Sequence, residues 1–494
     1  MLPEVRAVAL GVLLAVGTVD AAPAAAPPLT LTLTPCELEH PLRLSALAAE
    51  CGVLEVAENP DQPHGRQIGL HVARVGAISR RKQPDPLFIL AGGPGAAAGA
   101  FYASVSPAFA RIQRDRDIVL IDQRGTGGSN PLECAEPEDL LGHASEAEII
   151  AATRACLATL SRRADVAYYT TSLAVQDLER VRAALGLERI NLYASSYGTR
   201  LAQHYLRRFP GRVRTVILDG VVPIGEPVGP ASPIDAEAAL ERILRRCALD
   251  AVCHARFGDP AADYRAVRGE LAGGRAVAVS IADPASGEPR RMSFTAETLA
   301  SVLRLLSYVP EYAALLPLLL HAGAEQDYAP LASQYLMVER SYAQTVAAGM
   351  HNSVVCTEDV PLFGRYPIDR ARLAATYLGT RQLDGLEAVC RVWPRGKVDE
   401  DLRAPLRSDV PALLLSGSDD PATPPAYASE AARGFTQRLE LVLEGFGHGQ
   451  LTAPCVDRIM AQFVARGSVD ALDASCVRAA RPLAFFTSLN GPPP

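Results

Sequence analysis

Residues Arg189–Gly220 read R-I-N-L-Y-A-S-S-Y-G-T-R-L-A-Q-H-Y-L-R-R-F-P-G-R-V-R-T-V-I-L-D-G. Ile190–Ala194 is a short apolar run bounded by a turn, the pattern of a fully buried strand. Tyr197–Arg208 has the spacing of an amphipathic helix, stopped by Phe209-Pro210-Gly211. Val213–Leu218 is a second buried strand. Strand and helix leave room only for a very tight turn, with Ser196 at its apex. Ala194 and Gly198 lie two positions before and after it. Small residues are needed there because the two backbones nearly touch.

The same alternation extends outward. Arg66–Val75 alternates loosely through Ile68, Leu70 and Val72 and reads as an early strand. Leu87–Leu90 is a short buried strand running into Ala91-Gly92-Gly93-Pro94-Gly95, and Ile118–Ile121 another, running into Asp122-Gln123-Arg124-Gly125-Thr126-Gly127-Gly128-Ser129-Asn130-Pro131. A helix is expected over Ser172–Leu185. Late in the chain come buried strands at Ala412–Leu415 and Leu441–Leu443, with helices at Ala426–Gly434 and Cys455–Arg466. Apolar runs alternating with amphipathic helices predict an α/β fold, a mostly parallel sheet covered on both faces.

Between Pro223 and Leu406 the character changes. Helices are expected at Ile234–Leu249, Pro260–Leu271, Ala296–Ser307, Pro310–Ala322 and Pro330–Ala348. One strand pair is expected at Val277–Ile281 and Arg291–Phe294. The reading is a mostly helical cap (223–405) splitting one core into halves (36–222 and 406–480).

The chain has 494 residues, 49% hydrophobic and 21% charged, ordinary globular composition. A net charge of −7, with no basic block, gives no footprint for nucleic acid or an anionic membrane. Arg6 precedes an apolar run, Ala7–Val19, and then the small residues Ala21, Ala22 and Ala24–Ala26. Residues 1–26 therefore read as a signal peptide and leader, the apolar run being shorter than the about 20 apolar residues of a spanning helix. The ten cysteines fall as neighbours: Cys36 and Cys51, Cys134 and Cys156, Cys247 and Cys253, Cys356 and Cys390, Cys455 and Cys476. An even count behind a signal sequence predicts disulfides between neighbours and a secreted or periplasmic protein. No C-x-x-C occurs.

A serine on a sharp strand-to-helix turn resembles a nucleophile elbow, which needs a base, an acid and an oxyanion hole. Ser416-Gly417-Ser418-Asp419-Asp420-Pro421 follows one late strand and Gly445-Phe446-Gly447-His448-Gly449 the other. Ser196, Asp420 and His448 thus come in the order serine, acid, histidine, each just behind a strand, where open α/β sheets build their sites. Asp419 and Asp219 are rivals for the acid. Pro94 has no N–H, so Gly93 and the residue after the serine, Tyr197, are the expected oxyanion donors. The loop fits neither G-x-G-x-x-G nor G-x-x-x-x-G-K-[ST]. Asp122–Pro131 carries no nucleophile-and-base pair and reads as a structural turn. No cofactor or metal is called for.

Taken together, L-A-G-G-P-G, D-Q-R-G-T-G-G-S, Y-A-S-S-Y-G-T-R, G-S-D-D-P-A-T-P-P and G-F-G-H-G resemble the prolyl and tripeptidyl aminopeptidase group of secreted α/β-hydrolases, over most of Cys36–Cys476. Two positions depart from it: Ala91 where a histidine often precedes the glycine loop, and Ala194 in place of the first elbow glycine. The resemblance implies a serine exopeptidase acting on peptides with a free N-terminus through an acyl-enzyme on Ser196. It also implies acidic cap residues that hold the substrate α-amine, here Glu358 and Asp359 beside Cys356. A carboxylic-ester hydrolase and an inactive binding protein are the alternatives.

Overall fold

The computed structural model describes residues 31–134 and 144–491. The signal-peptide reading falls on residues 1–26, outside the described residues. The strands are β1 (Thr34–Glu39), β2 (Ala46–Ala57), β3 (Gln67–Val75), β4 (Leu87–Leu90), β5 (Ile118–Ile121), β6 (Ile190–Ser195), β7 (Val213–Asp219), β8 (Val277–Ala282), β9 (Pro289–Phe294), β10 (Ala412–Gly417) and β11 (Arg438–Leu443). Nine form one sheet in the order β1-β2-β3-β5-β4-β6-β7-β10-β11. The β1/β2, β2/β3 and β3/β5 joints are antiparallel, and every joint from β5 to β11 is parallel.

Every residue of β4, β5, β6 and β10 is buried, which is why these strands read as unbroken apolar runs. Alternate residues serve opposite faces. Phe88, Leu90, Leu192, Ala194, Val216, Leu218 and Leu414 pack with the helices Thr171–Ala184, Tyr197–Arg208 and Pro425–Ala432. Leu87, Ile89, Tyr193, Ile217, Leu413 and Leu415 pack with the Ala98–Val105 and Val456–Arg466 helices. Each fully buried aliphatic side chain is worth about 1.5–3 kcal/mol relative to exposure.

Three readings are revised. Residues 34–57, to which the sequence pattern assigns no strand, form the β1–β2 hairpin, clipped by Cys36–Cys51. Leu441–Leu443 is not a buried core strand, because β11 is the sheet edge and Val442 is 46% exposed. The helix expected over Pro310–Ala322 is divided into Pro310–Ala313 and Leu316–Ala324, where Pro317 opens a new first turn.

Between β7 and β10 the chain builds a second core around Leu240, Ile243, Val302, Leu306, Leu319 and Leu331, with β8 and β9 as a separate hairpin. Phe485, near the C-terminus, joins this cluster under Arg246, whose guanidinium lies 4.5 Å from the ring centroid. The five disulfides join the sequence neighbours expected. Among the described residues no helix is long and apolar enough to cross a membrane.

Candidate active site

Ser195 ends β6 and Tyr197 begins the elbow helix, leaving Ser196 at φ +54°, ψ −126°. That backbone is strained for a residue with a Cβ, and it holds the hydroxyl out of the strand-to-helix corner. Gly198 makes the corner possible: a Cβ there would run into the Leu90 carbonyl oxygen. The contact seats the helix's first turn on the end of β4, where Gly92–Gly95 departs. Gly95 is tied in turn to the inserted segment, its carbonyl accepting the Ala347 N–H at 3.0 Å.

His448 lies in the loop after β11. Its Nδ1 is 2.8 Å from Asp420 Oδ2 and 3.1 Å from the Thr423 hydroxyl. The Asp420 carboxylate is fully buried and accepts the Ala422 and Thr423 N–H groups, each at 2.8 Å, and the Thr423 hydroxyl at 2.7 Å. Burial alone would raise the Asp420 pKa; His448 and these donors more than offset it and hold the group ionised below its usual range. An ionised partner at Nδ1 keeps the proton on that nitrogen and leaves Nε2 as the acceptor. The ring meets Tyr308 edge-on at 5.1 Å, and the His448 N–H donates to the Tyr308 carbonyl at 2.6 Å.

Ser196 and His448 each adjoin the end of β7. The Ser196 N–H donates to the Asp219 carbonyl at 2.9 Å. The next residue, Gly220 at φ +64°, lies so close to the imidazole that a Cβ would stand 2.9 Å from His448 Cε1.

Two family models match the chain: an α/β-hydrolase fold model over residues 85–246 and a TAP-like protein model over residues 375–476. The chain has the α/β-hydrolase fold. It is 26% identical over 480 residues to a tripeptidyl aminopeptidase of Streptomyces coelicolor, spanning 88% of this chain and 84% of that one. It is 26% identical over 501 residues to the serine protease Hip1 of Mycobacterium tuberculosis, spanning 90% of each. It is also 27% identical over 471 residues to a carboxylesterase B of Mycobacterium tuberculosis, spanning 87% and 86%.

In this hydrolase the rival acids are otherwise engaged. Asp219 accepts the Gln450 N–H at 2.9 and 3.0 Å and the Tyr193 hydroxyl at 2.7 Å; burial pushes its pKa up to about 6. Asp419 accepts the Ser418 hydroxyl and sits 3.5 and 3.7 Å from the Arg246 and Arg242 guanidinium groups. Ala194 is fully buried on β6, so its methyl joins the core without disturbing the turn. In the Asp122–Pro131 turn, Arg124 is fully buried and makes two bonds to Asp177, at 2.6 and 2.8 Å.

Glu358 and Asp359, expected at the substrate α-amine, face buried side chains of the protein. They end the Ala348–Glu358 helix beneath the elbow helix, with side chains 0% and 1% exposed. Asp359 takes two bonds from Arg200, at 2.8 and 3.0 Å, and one from Arg403 at 2.9 Å. Glu358 accepts the Thr171 N–H at 2.7 Å and its hydroxyl at 2.8 Å. An acidic pair is visible in a sequence; the arginines that fold back over it are not. Arg200 did carry a signal, being one turn past Tyr197 and so on the same helix face. Thr423, three residues past Asp420, could have been read as a side chain closing the acid's own turn.

Among the described residues one His–carboxylate group, His204 with Asp399 and Asp401, has metal-ligand proximity. Arg207 lies 3.4 Å from His204, and Arg208 lies 3.8 and 3.7 Å from the two carboxylates. These guanidinium groups supply the positive charge a cation would bring.

Burial pushes the His448 pKa down, and the charge and hydrogen bond of Asp420 more than offset it, leaving it above 6.5. A general base works only when neutral, so with His448 in that role kcat/KM is expected to rise with pH through an acid limb displaced above the ordinary imidazole value. A pH–rate profile with the midpoint at or below that value would count against His448 as the base.

Proposed function

We propose that this hydrolase is a secreted serine exopeptidase releasing residues or short peptides from the free N-terminus of a peptide. Ser196 Oγ attacks the scissile carbonyl while His448 Nε2 takes its proton. The imidazolium returns that proton to the leaving amine, and an acyl-enzyme remains on Ser196. Water, deprotonated by His448, releases the acyl group and restores the serine. Asp420 holds the tautomer, and the N–H groups of Gly93 and Tyr197 receive the oxyanion. The observation that supports this reading is that the strained Ser196 corner and the His448–Asp420 pair both adjoin Asp219–Gly220. Similarity to a tripeptidyl aminopeptidase over most of both chains supports the peptide substrate. Five disulfides support export.

On this reading the inserted residues 223–405 form a cap that selects the substrate. With Glu358 engaged, Asp235 is the better acid for the α-amine. It accepts the Tyr427 hydroxyl at 2.8 Å, and burial, with the nearby Asp420 charge, raises its pKa. Glu226 is likewise raised by burial and by Glu430. A cation relieves such repulsion. Asp235→Asn is expected to raise KM for free-amine peptides by about tenfold, near 1.4 kcal/mol, and to leave a simple acyl ester unaffected. Equal effects on both substrates would remove Asp235 from amine binding.

The similarity to a carboxylesterase favours a second reading, a carboxylic-ester hydrolase on the same scaffold. Aminoacyl, tripeptidyl and N-blocked chromogenic substrates separate the two. A strong preference for blocked or ester substrates rejects the aminopeptidase.

A further inference from the structure

The chemistry above gives Glu358 and Asp359 no step, yet two adjacent carboxylates without solvent are among the costliest groups a fold can bury. Their partners indicate what they do. Both reach the first turn of the elbow helix, at two side chains three residues apart on one face. The Tyr197 hydroxyl is 2.7 Å from the Thr171 hydroxyl, which bonds Glu358 Oε2 at 2.8 Å. Glu358 Oε1 fixes the Thr171 N–H at 2.7 Å, holding the threonine itself. Arg200 makes its two bonds to Asp359, stands 3.5 Å from Glu358, and lies 5.9 Å from the centroid of the Tyr197 ring. Tyr197, Thr171, Arg200 and Asp359 are all 1% exposed or less. Asp359 also accepts the Val228 N–H at 2.9 Å. The network thus joins the inserted segment to the one helix whose first N–H groups point toward Ser196.

We propose that Glu358 and Asp359 are positioning residues for the oxyanion hole: through Thr171 and Arg200 they fix Tyr197, so that its backbone N–H is aimed at the reacting carbonyl oxygen. The proposal rests on the reading of Ser196 as the nucleophile. An amide misaimed by a fraction of an ångström is felt only where negative charge develops, so the loss falls on the transition state and not on substrate binding.

The test is steady-state kinetics on a tripeptidyl anilide and an acyl ester, with inhibition by a peptide boronic acid, which forms a tetrahedral adduct on the serine. Glu358→Gln is expected to lower kcat by about tenfold or more on both substrates, within the about 10²–10³ that a whole donor supplies. KM stays within about twofold, and boronate affinity falls with kcat. Thr171→Val and Tyr197→Phe, which each delete one hydroxyl and keep the volume, show the same split; Thr171→Ser retains wild-type kcat. These two keep the test open if Glu358→Gln does not fold. Wild-type kcat and boronate affinity in Thr171→Val and Tyr197→Phe overturn the proposal. So does a Glu358→Gln loss confined to free-amine peptides, which returns the residue to amine binding. A fluorophosphonate that labels the wild-type enzyme at Ser196 while these variants run at full rate rejects the positioning role alone. Failure to label Ser196 rejects the nucleophile on which it rests.

Discussion

Ser196→Ala is expected to lower turnover by about 10⁶ on every substrate the enzyme accepts, and to leave the fold and substrate affinity in place. The loss is large because nothing nearby can substitute. His448 is held by Asp420 and Thr423 at Nδ1 and by the Tyr308 carbonyl at its backbone, so it is fixed for one task. The fold survives because the corner is set by the backbone. The Ser196 N–H still donates to the Asp219 carbonyl, and alanine keeps the Cβ at φ +54°. Turnover measured against background hydrolysis, with a binding isotherm for a non-cleaved peptide, reads both halves. A variant within tenfold of wild type would place the nucleophile elsewhere. A variant that binds no substrate would mean that Ser196 shapes the pocket rather than the chemistry.

The parts of this site legible in the sequence are those written in local pattern. The elbow shows because β6, the corner and the helix are contiguous, and because Ser196 lies between Ala194 and Gly198. Asp420 and His448 show because each follows its strand at once and parallel strands deliver their ends to one side. Parallel strands buried on both faces are themselves easy to read, whereas β11, on the edge, alternates its exposure although its apolar run reads as core. What stayed hidden depends on contacts between distant residues. Arg200 and Asp359 are 159 positions apart, and Thr171 and Glu358 are 187 apart. A carboxylate pair in a sequence carries no mark of whether an arginine or open water will face it. At that point the sequence sends Glu358 to the substrate side, whereas in the structure it faces Thr171 and Arg200, and the carboxylate that His448 bonds is Asp420.

Asp420→Asn has the second largest expected effect, a fall of about 10⁴ in turnover. The substitution is close to silent for the fold. An asparagine oxygen can still accept the Ala422 and Thr423 N–H groups that reach Asp420 Oδ1 at 2.8 Å. Its other terminus, however, becomes an NH₂ facing His448 Nδ1 across a gap of 2.8 Å. Two donors cannot share that gap, so the imidazole moves its proton to Nε2, the nitrogen that must accept from Ser196. The charge that raised the His448 pKa is lost as well, and the acid limb of the pH–rate profile shifts downward. That shift distinguishes the acid of the pair from a residue that merely supports the loop. Asp219→Asn and Asp419→Asn complete the comparison. Asp219 holds Gln450 and Tyr193, and Asp419 faces Arg242 and Arg246, so their losses fall mainly on stability, read as Tm. Asp219 adds a smaller share than Asp420 of the charge that raises His448, so Asp219→Asn is expected to move the acid limb less than Asp420→Asn does. If Asp219→Asn shifted the acid limb and Asp420→Asn did not, the acid would be the one that ends β7.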